Sequence, residues 1–445
     1  MTKSNQKQEK NQGGKTHVER EDSGLTWEEQ FTILGRYHRV AALPDGLAYD
    51  RQLGIVHAGV ATLQGIGPRY AYGTIFGPRA VKAPSGDLLV FGAHGGLYFA
   101  PGVAANHAVM WRSTDGGRTW QDGVAPWEMP NAKEHCIVPF VDPAKPGRIY
   151  TLSNASADST FTAAVVLRHS DDNGQTWTEP ERIQPDNDPS FPGGPVHMRG
   201  AVLEDGTWLW GIYYRDASSL EGDVQFVLRS TDRGSTWTVH PGPAPQGWQH
   251  PAWKKYLEGI VVSGGVQSAM LYLRAPGGCI WEMRSADSGL TWNEAKETPG
   301  LVHPDAPPMI YSVAGGRYLI ALIHNRYSPE HPHHWHPDRT ELWVSVSLDK
   351  GQSWSEPRFL CGQAKVPVCG QSPENTCDWD VSYADLLIHA GMLHIFVGDG
   401  QRQVLHFMLP EEAIGALPTA KALGVGNPLG CNFDIQQPRN VQYPR

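Results

Sequence analysis

The chain has 445 residues, 46 acidic against 37 basic side chains for a net charge of −9, and is rich in Trp (16) and Gly (49). An acidic balance with no Lys/Arg-rich run argues against a nucleic-acid partner, and without a run of about 18 apolar residues no membrane span or membrane partner is expected. Residues 1–22 are polar and charged with no apolar leader segment, which predicts a cytoplasmic protein on the sequence as it stands, or a secreted one if the N-terminus was trimmed.

Residues 1–18 hold Lys, Gln, Asn and Gly with almost nothing to bury, and predict a disordered tail. Next comes Asp22-Ser-Gly-Leu-Thr-Trp27, which recurs letter for letter at Asp287-Ser-Gly-Leu-Thr-Trp292. The second copy belongs to a longer pattern, S-x-D-x-G-x-[ST]-W. It occurs five times, at 113–120, 170–177, 230–237, 285–292 and 347–354, with starts 57, 60, 55 and 62 residues apart. A period of that size means stacked or radially arranged units. The residue types suit a tight hairpin: Asp accepts backbone N–H groups of its own turn, Gly supplies a left-handed position, and Thr and Trp restart a strand whose ring can cover the end of its own sheet.

Strand-like runs precede each copy. They fall at 80–83, 87–91 and 108–111; at 136–140, 148–152 and 163–168; at 199–203, 207–214 and 224–229; at 259–262, 268–273 and 279–284; and at 309–313, 318–323 and 341–346. A sixth unit at 382–388, 392–397 and 403–408 has no such octapeptide of its own. The degenerate N-terminal copy would complete it, with residues 27–40 as the outer strand that closes a ring and removes its free edges. Residues 41–75 are left for an insertion or part of a seventh blade. The prediction is an all-β, six-bladed β-propeller, residues 19–445 forming one domain, with seven blades as the alternative. The six Cys (136, 279, 361, 369, 377, 431) contain no CxxC and read as free thiols.

The octapeptide resembles the Asp-box of sialidases and related β-propellers, and the likeness extends over about residues 76–410. Glu258-Gly-Ile-Val with Arg274 sixteen residues on resembles the family's Glu and Arg of the fourth blade. Arg339-Thr-Glu-Leu-Trp-Val resembles the third Arg in the fifth blade, and Ser382-Tyr383-Ala-Asp resembles the segment with the nucleophilic Tyr. The resemblance implies an exo-glycosidase acting on a terminal acidic sugar, sialic acid or a relative. Arg274 and Arg339 would clamp its carboxylate, and Tyr383, relieved of its proton by Glu258, would attack the anomeric carbon. Two departures stand out. The first Arg of the family falls on Phe76 of Ile75-Phe-Gly-Pro-Arg79, which makes Arg79 a displaced substitute. The stretch 88–114, where the family's acid Asp belongs, has no Asp or Glu but holds His94 and His107.

The histidines keep other chemistry open. His94 and His135 are candidate acid–base residues, and His197, Arg199 and Arg326 join Arg79, Arg274 and Arg339 as candidate substrate contacts at the mouth of the ring. The alternatives are a lyase or other non-hydrolytic enzyme that uses His, Tyr and Arg on a uronate, and a binding-only propeller. The expected partner is a carbohydrate or other small acidic molecule. No cofactor or metal is expected; the cluster His331-Pro-His-His-Trp-His336 reads as an exposed loop between Arg326 and Arg339.

Overall fold

A computed structural model describes residues 30–33, 36–39, 43–69, 75–94, 107–128, 133–156, 164–215, 222–244, 246–313, 316–324, 339, 341–363, 381–400 and 402–423. Short antiparallel strands in chain order form six sheets around one axis, the six-bladed propeller expected. Blade one holds β6 (Ile75–Lys82), β7 (Leu88–His94) and β8 (His107–Ser113). Blade two holds β9 (Lys133–Phe140), β10 (Ile149–Ser156), β11 (Ala164–Ser170) and β12 (Glu181–Arg182), and blade three β13 (Ala201–Val202), β14 (Trp208–Arg215), β15 (Asp223–Ser230) and β16 (Thr238–His240). Blade four holds β17 (Leu257–Ser263), β18 (Ala269–Arg274), β19 (Cys279–Ser285) and β20 (Lys296–Val302). Blade five holds β21 (Met309–Val313), β22 (Tyr318–Ile323), β23 (Glu341–Ser347) and β24 (Arg358–Gln363). Blade six holds β25 (Val381–His389), β26 (Met392–Asp399) and β27 (Gln403–Pro410).

The N-terminal segment behaves differently from the expectation. Its strands β1 (Gln30–Ile33) and β2 (Arg36–Arg39) pair only with each other within their sheet, so 27–40 is not the closing strand. Closure falls instead to β5 (Thr62–Ile66), which pairs along β27 from Thr62–Met408 to Ile66–Val404. β3 (Leu47–Asp50) and β4 (Ile55–Ala58) extend blade five through β24. Residues 43–66 therefore finish the last two blades, and no seventh forms among the described residues. The reason is apolar content: Ile55, Val56 and Ile66 are fully or almost fully buried, and Ile66 sits with Phe396 and Val404 in the core against Val90, Val109 and Trp111 of blade one. The degenerate copy at 22–27 and the tail 1–18 lie outside the described residues.

All five boxes build one turn. Ser113 Oγ donates to Asp115 Oδ1 at 2.8 Å and accepts Gly117 N–H at 2.8 Å, while Thr119 gives Asp115 its N–H at 2.9 Å and its hydroxyl at 2.6 Å. Both residues after the Asp are left-handed, from Gly116 and Gly117 (φ 72° and 86°) to Lys350 and Gly351 (59° and 80°). The Gly is required twice over. A Cβ at Gly289 would lie 2.5 Å from Leu209 Cδ2 of blade three, and one at Gly174 would lie 2.8 Å from Leu89 Cδ1 of blade one. The boxes thus lean on the preceding blade, and their tryptophans follow rather than covering only their own sheet: Trp120 meets Phe396 of blade six edge-on at 5.7 Å, and Trp177 meets Phe91 of blade one at 5.7 Å.

Candidate active site

Inner strands start, and second strands end, at one mouth of the ring. Glu258 opens β17 and Arg274 ends β18 across from Leu257. Tyr383 opens β25, and Arg339 precedes β23. These four, from three blades, come together. Tyr383 Oη donates to Glu258 Oε1 at 2.8 Å, and Arg274 Nη1 donates to Glu258 Oε2 at 2.6 Å. The Arg339 guanidinium carbon stands 5.7 Å from the centre of the Tyr383 ring. All four are at most 8% exposed.

Asp305, a residue with no local sequence signature, completes the network. Asp305, in the loop before β21, accepts Arg274 Nε at 2.7 Å and Lys255 Nζ at 2.9 Å, and its carbonyl accepts Arg339 Nη2 at 3.0 Å. It therefore braces both arginines at once. A second acid, Asp399 at the end of β26, pairs with Arg69 at 3.2 Å and accepts Gln363 Nε2 at 2.9 Å. Arg69 is one-third exposed and enters the mouth region from the segment after β5.

The electrostatics follow from burial and these pairs. Burial pushes the Tyr383 phenol well above its ordinary value, and the Glu258 charge pushes it further. Burial alone would raise Glu258, but Arg274, then His197, and the hydrogen bonds from Arg274 and Tyr383 hold it well below the usual carboxylate range. Asp305 is held low in the same way by Arg274 and Lys255 against the cost of burial.

The other sequence candidates divide. Arg79 is buried, but its guanidinium is spent on backbone: it donates to the His197 carbonyl at 2.7 and 3.0 Å, to the Tyr383 carbonyl at 2.8 Å and to the Pro78 carbonyl at 2.7 Å. Arg199 lies deeper on the axis, where it holds both oxygens of Asp385 and donates to the carbonyls of Ala80 and Pro139. It borders a separate cavity of about 280 Å³ lined by Ile260, Ile310 and Leu386. Both arginines satisfy carbonyls on the axial edges of inner strands, which have no neighbouring strand to bond. The bonds described for Arg79, expected as a displaced clamp residue, and for Arg199, expected as a substrate contact, thus go to the chain's own groups.

His197 is in the group: its ring lies 6.2 Å from that of Tyr383, its Nε2 is 3.2 Å from Tyr213 Oη, and its Nδ1 is 3.1 Å from Cys136 Sγ. His94 ends β7 at the same mouth, with His107 opposite in register. His135 lies on β9 opposite Asn154, its side chain outside the described set. Arg326 and the cluster 331–336 lie outside the described residues.

A family model, the BNR repeat-like domain, matches residues 105–395. The chain belongs to the BNR repeat-like family. A curated relative is a sialidase of Bacteroides fragilis (strain YCH46), 27% identical over 158 residues; the match spans 29% of this chain and only 28% of that protein. Among solved structures, the Hadza microbial sialidase Hz136 superposes with a TM-score of 0.58 at 20% identity, over 79% of this chain and 69% of that one. The leech intramolecular trans-sialidase gives 0.57 at 14% identity, over 81% and 72%. The NanB sialidase of Streptococcus pneumoniae gives 0.59 at 10%, over 78% and 70%. These structures share the propeller with this member of the family.

Proposed function

We propose that this BNR-repeat propeller is a glycosidase that removes a terminal sugar carrying a carboxylate on or beside its anomeric carbon. The observation that carries the reading is the continuous chain Tyr383–Glu258–Arg274, with hydrogen bonds of 2.8 and 2.6 Å and Arg339 over the tyrosine ring. A carboxylate nucleophile would be repelled by an anionic sugar, whereas a neutral phenol is not. The substrate carboxylate is held by Arg274 and Arg339. As it draws on the charge of Arg274, Glu258 loses part of what holds its proton affinity down. Its affinity then rises when the tyrosine proton must move, and the phenolic oxygen attacks the anomeric carbon as the leaving group departs.

The test is release of an aryl alcohol from an aryl sialoside. An aryl leaving group needs little protonation, so the assay reads Tyr383, Glu258 and the arginines without help from a general acid. Turnover by the wild type and its loss in Tyr383→Phe, with binding of an unsaturated sialic acid analogue retained, is the expected result. Binding without turnover in the wild type would make this a carbohydrate-binding propeller. Product absorbing as an unsaturated uronate from an acidic polysaccharide would make it a lyase, and either outcome overturns the reading.

A further inference from the structure

Asp305 braces both arginines, so whatever fixes Asp305 acts on both. Its link from β20 to β21 reads His303-Pro-Asp-Ala-Pro-Pro308, and three prolines in six residues leave the backbone few N–H groups of its own. Asp305 stands at the apex of a tight turn closed by Ala306 N–H to the Pro304 carbonyl at 2.7 Å. One imidazole then fastens the two ends. His303 Nε2 donates to the Pro307 carbonyl at 3.1 Å, its Nδ1 accepts His324 N–H at 3.3 Å, and its backbone N–H donates to the Gly278 carbonyl at 3.1 Å.

The fastening continues to the second arginine. His324 stacks on His303 with ring centres 5.3 Å apart, and its Nδ1 donates at 2.9 Å to the carbonyl of Glu341, two residues after Arg339. Arg339 Nη2 returns to the Asp305 carbonyl at 3.0 Å. The path closes on itself: the Asp305 loop, His303, His324, the Arg339 segment and Asp305 again. His303, His324 and Glu341 are at most 1% exposed, so bulk water does not compete for these bonds. Histidine suits position 303 for a chemical reason. The place needs one acceptor and one donor on a small neutral group, and a cation there would repel Arg274 and Arg339. Burial first, then His324, Arg339 and Arg274, keeps the proton affinity of His303 well below its ordinary value, so the ring stays neutral.

We propose that His303, with His324 behind it, is a positioning residue that sets the distance between Arg274 and Arg339 and so fits the pair to one carboxylate. The proposal rests on the reading of those two arginines as the substrate's carboxylate clamp. His303 acts through Asp305 and does not itself touch the sugar.

Two measurements on the full chain test it. Crystals of His303→Leu should show the Asp305 carbonyl drawn beyond hydrogen-bond reach of Arg339 Nη2. His303→Gln, whose amide carries one acceptor and one donor, should keep that contact. In solution the unsaturated sialic acid analogue should bind His303→Leu at least about tenfold more weakly than the wild type, the scale of one hydrogen bond to a charged group. Its uncharged methyl ester should change far less, and His303→Gln should recover most of the lost affinity. If His303→Leu does not fold, His303→Asn, whose shorter amide reaches one partner but not both, replaces it. An unmoved Asp305 carbonyl, an unchanged dissociation constant for the acid, or equal losses for acid and ester overturns the proposal. A wild type that binds neither ligand overturns the carboxylate-sugar reading instead, and the crystals still decide whether His303 positions the arginines.

Discussion

Asp305 shows what a single buried carboxylate can organise. It neutralises Arg274 and Lys255 through its side chain and holds Arg339 through its carbonyl. In Asp305→Asn the carbonyl contact survives, but the buried Arg274 and the partly exposed Lys255 lose their counter-charge. Breaking one partner of a buried pair costs about 3–5 kcal/mol, part of it recovered here because Arg274 keeps Glu258. The expected outcome is a lower melting temperature together with a weaker dissociation constant for a carboxylate sugar. Binding of an uncharged methyl ester of the same sugar should change far less. Equal losses for both ligands would mean that Asp305 only supports the fold. Asp305 was not legible in the sequence because a lone Asp among prolines carries no local pattern. Glu258, Arg274, Arg339 and Tyr383 were legible because each keeps a fixed order relative to a box or an inner strand. The backbone partners of Arg79 and Arg199 were not legible, for a physical reason. Position near the axis says that an arginine is central, but not whether it faces the mouth or the bare carbonyls of neighbouring strands.

At the scale of the element, the box is a latch between blades as much as a turn. The residue before the box serine is an arginine in blades one, three and four, and each reaches the carbonyl of a left-handed residue in the next box: Arg112 to Asn173 at 2.7 Å, Arg229 to Ser288 at 2.8 Å and Arg284 to Lys350 at 2.9 Å. The left-handed backbone turns that carbonyl toward the preceding blade. A half-exposed bond of this kind contributes about 1 kcal/mol or less. The triple variant Arg112→Gln, Arg229→Gln, Arg284→Gln should therefore lower the melting temperature by several degrees in calorimetry, roughly additively because the seams are far apart. An unchanged melt would make these contacts incidental. The box carboxylates set an acid limit as well. The Thr119 hydroxyl and N–H, with Ser113, hold Asp115 at about 2, and Asp349 sits at about 2 through Ser353 and Ser347. Depressed carboxylates contribute stability above the ordinary value near 4 that is lost as pH falls toward 2, so the turns should survive mild acid. The repeat made the five turns legible in the sequence; their lean onto the preceding blade was not, because the partner leucines, Leu209 for Gly289 and Leu89 for Gly174, sit a whole blade earlier in the chain.

For the whole molecule the decisive joint is the seam between blades six and one, where an N-terminal strand completes the last sheet. Removing residues 1–42 leaves β5 in place and should keep a cooperative melt, whereas removing 1–69 bares the edge of β27 and should give association on size exclusion. The same seam carries buried histidines. His406 Nδ1 lies 3.1 Å from Gln64 Nε2 of β5 and 3.3 Å from Trp120 Nε1 of the first box, and its Nε2 lies 3.0 Å from His394 Nδ1. Two N–H donors facing one nitrogen require that nitrogen to be unprotonated. Burial lowers His394 to about 4, with His389 adding to it, and lowers His406 well below its ordinary value, with His394 adding to it. A histidine kept neutral by the fold takes up its proton more readily when unfolded. Stability is therefore complete above about pH 6.5 and falls as pH drops from there toward 4. This window lies above that of the box carboxylates, so the closing seam should yield to acid before the turns do. Melting temperatures measured between pH 7.5 and 4.5 should fall in the wild type and fall less steeply in His406→Gln, whose amide can still accept from Gln64 and Trp120. Parallel slopes for the two proteins would place the acid-sensitive groups elsewhere in the ring.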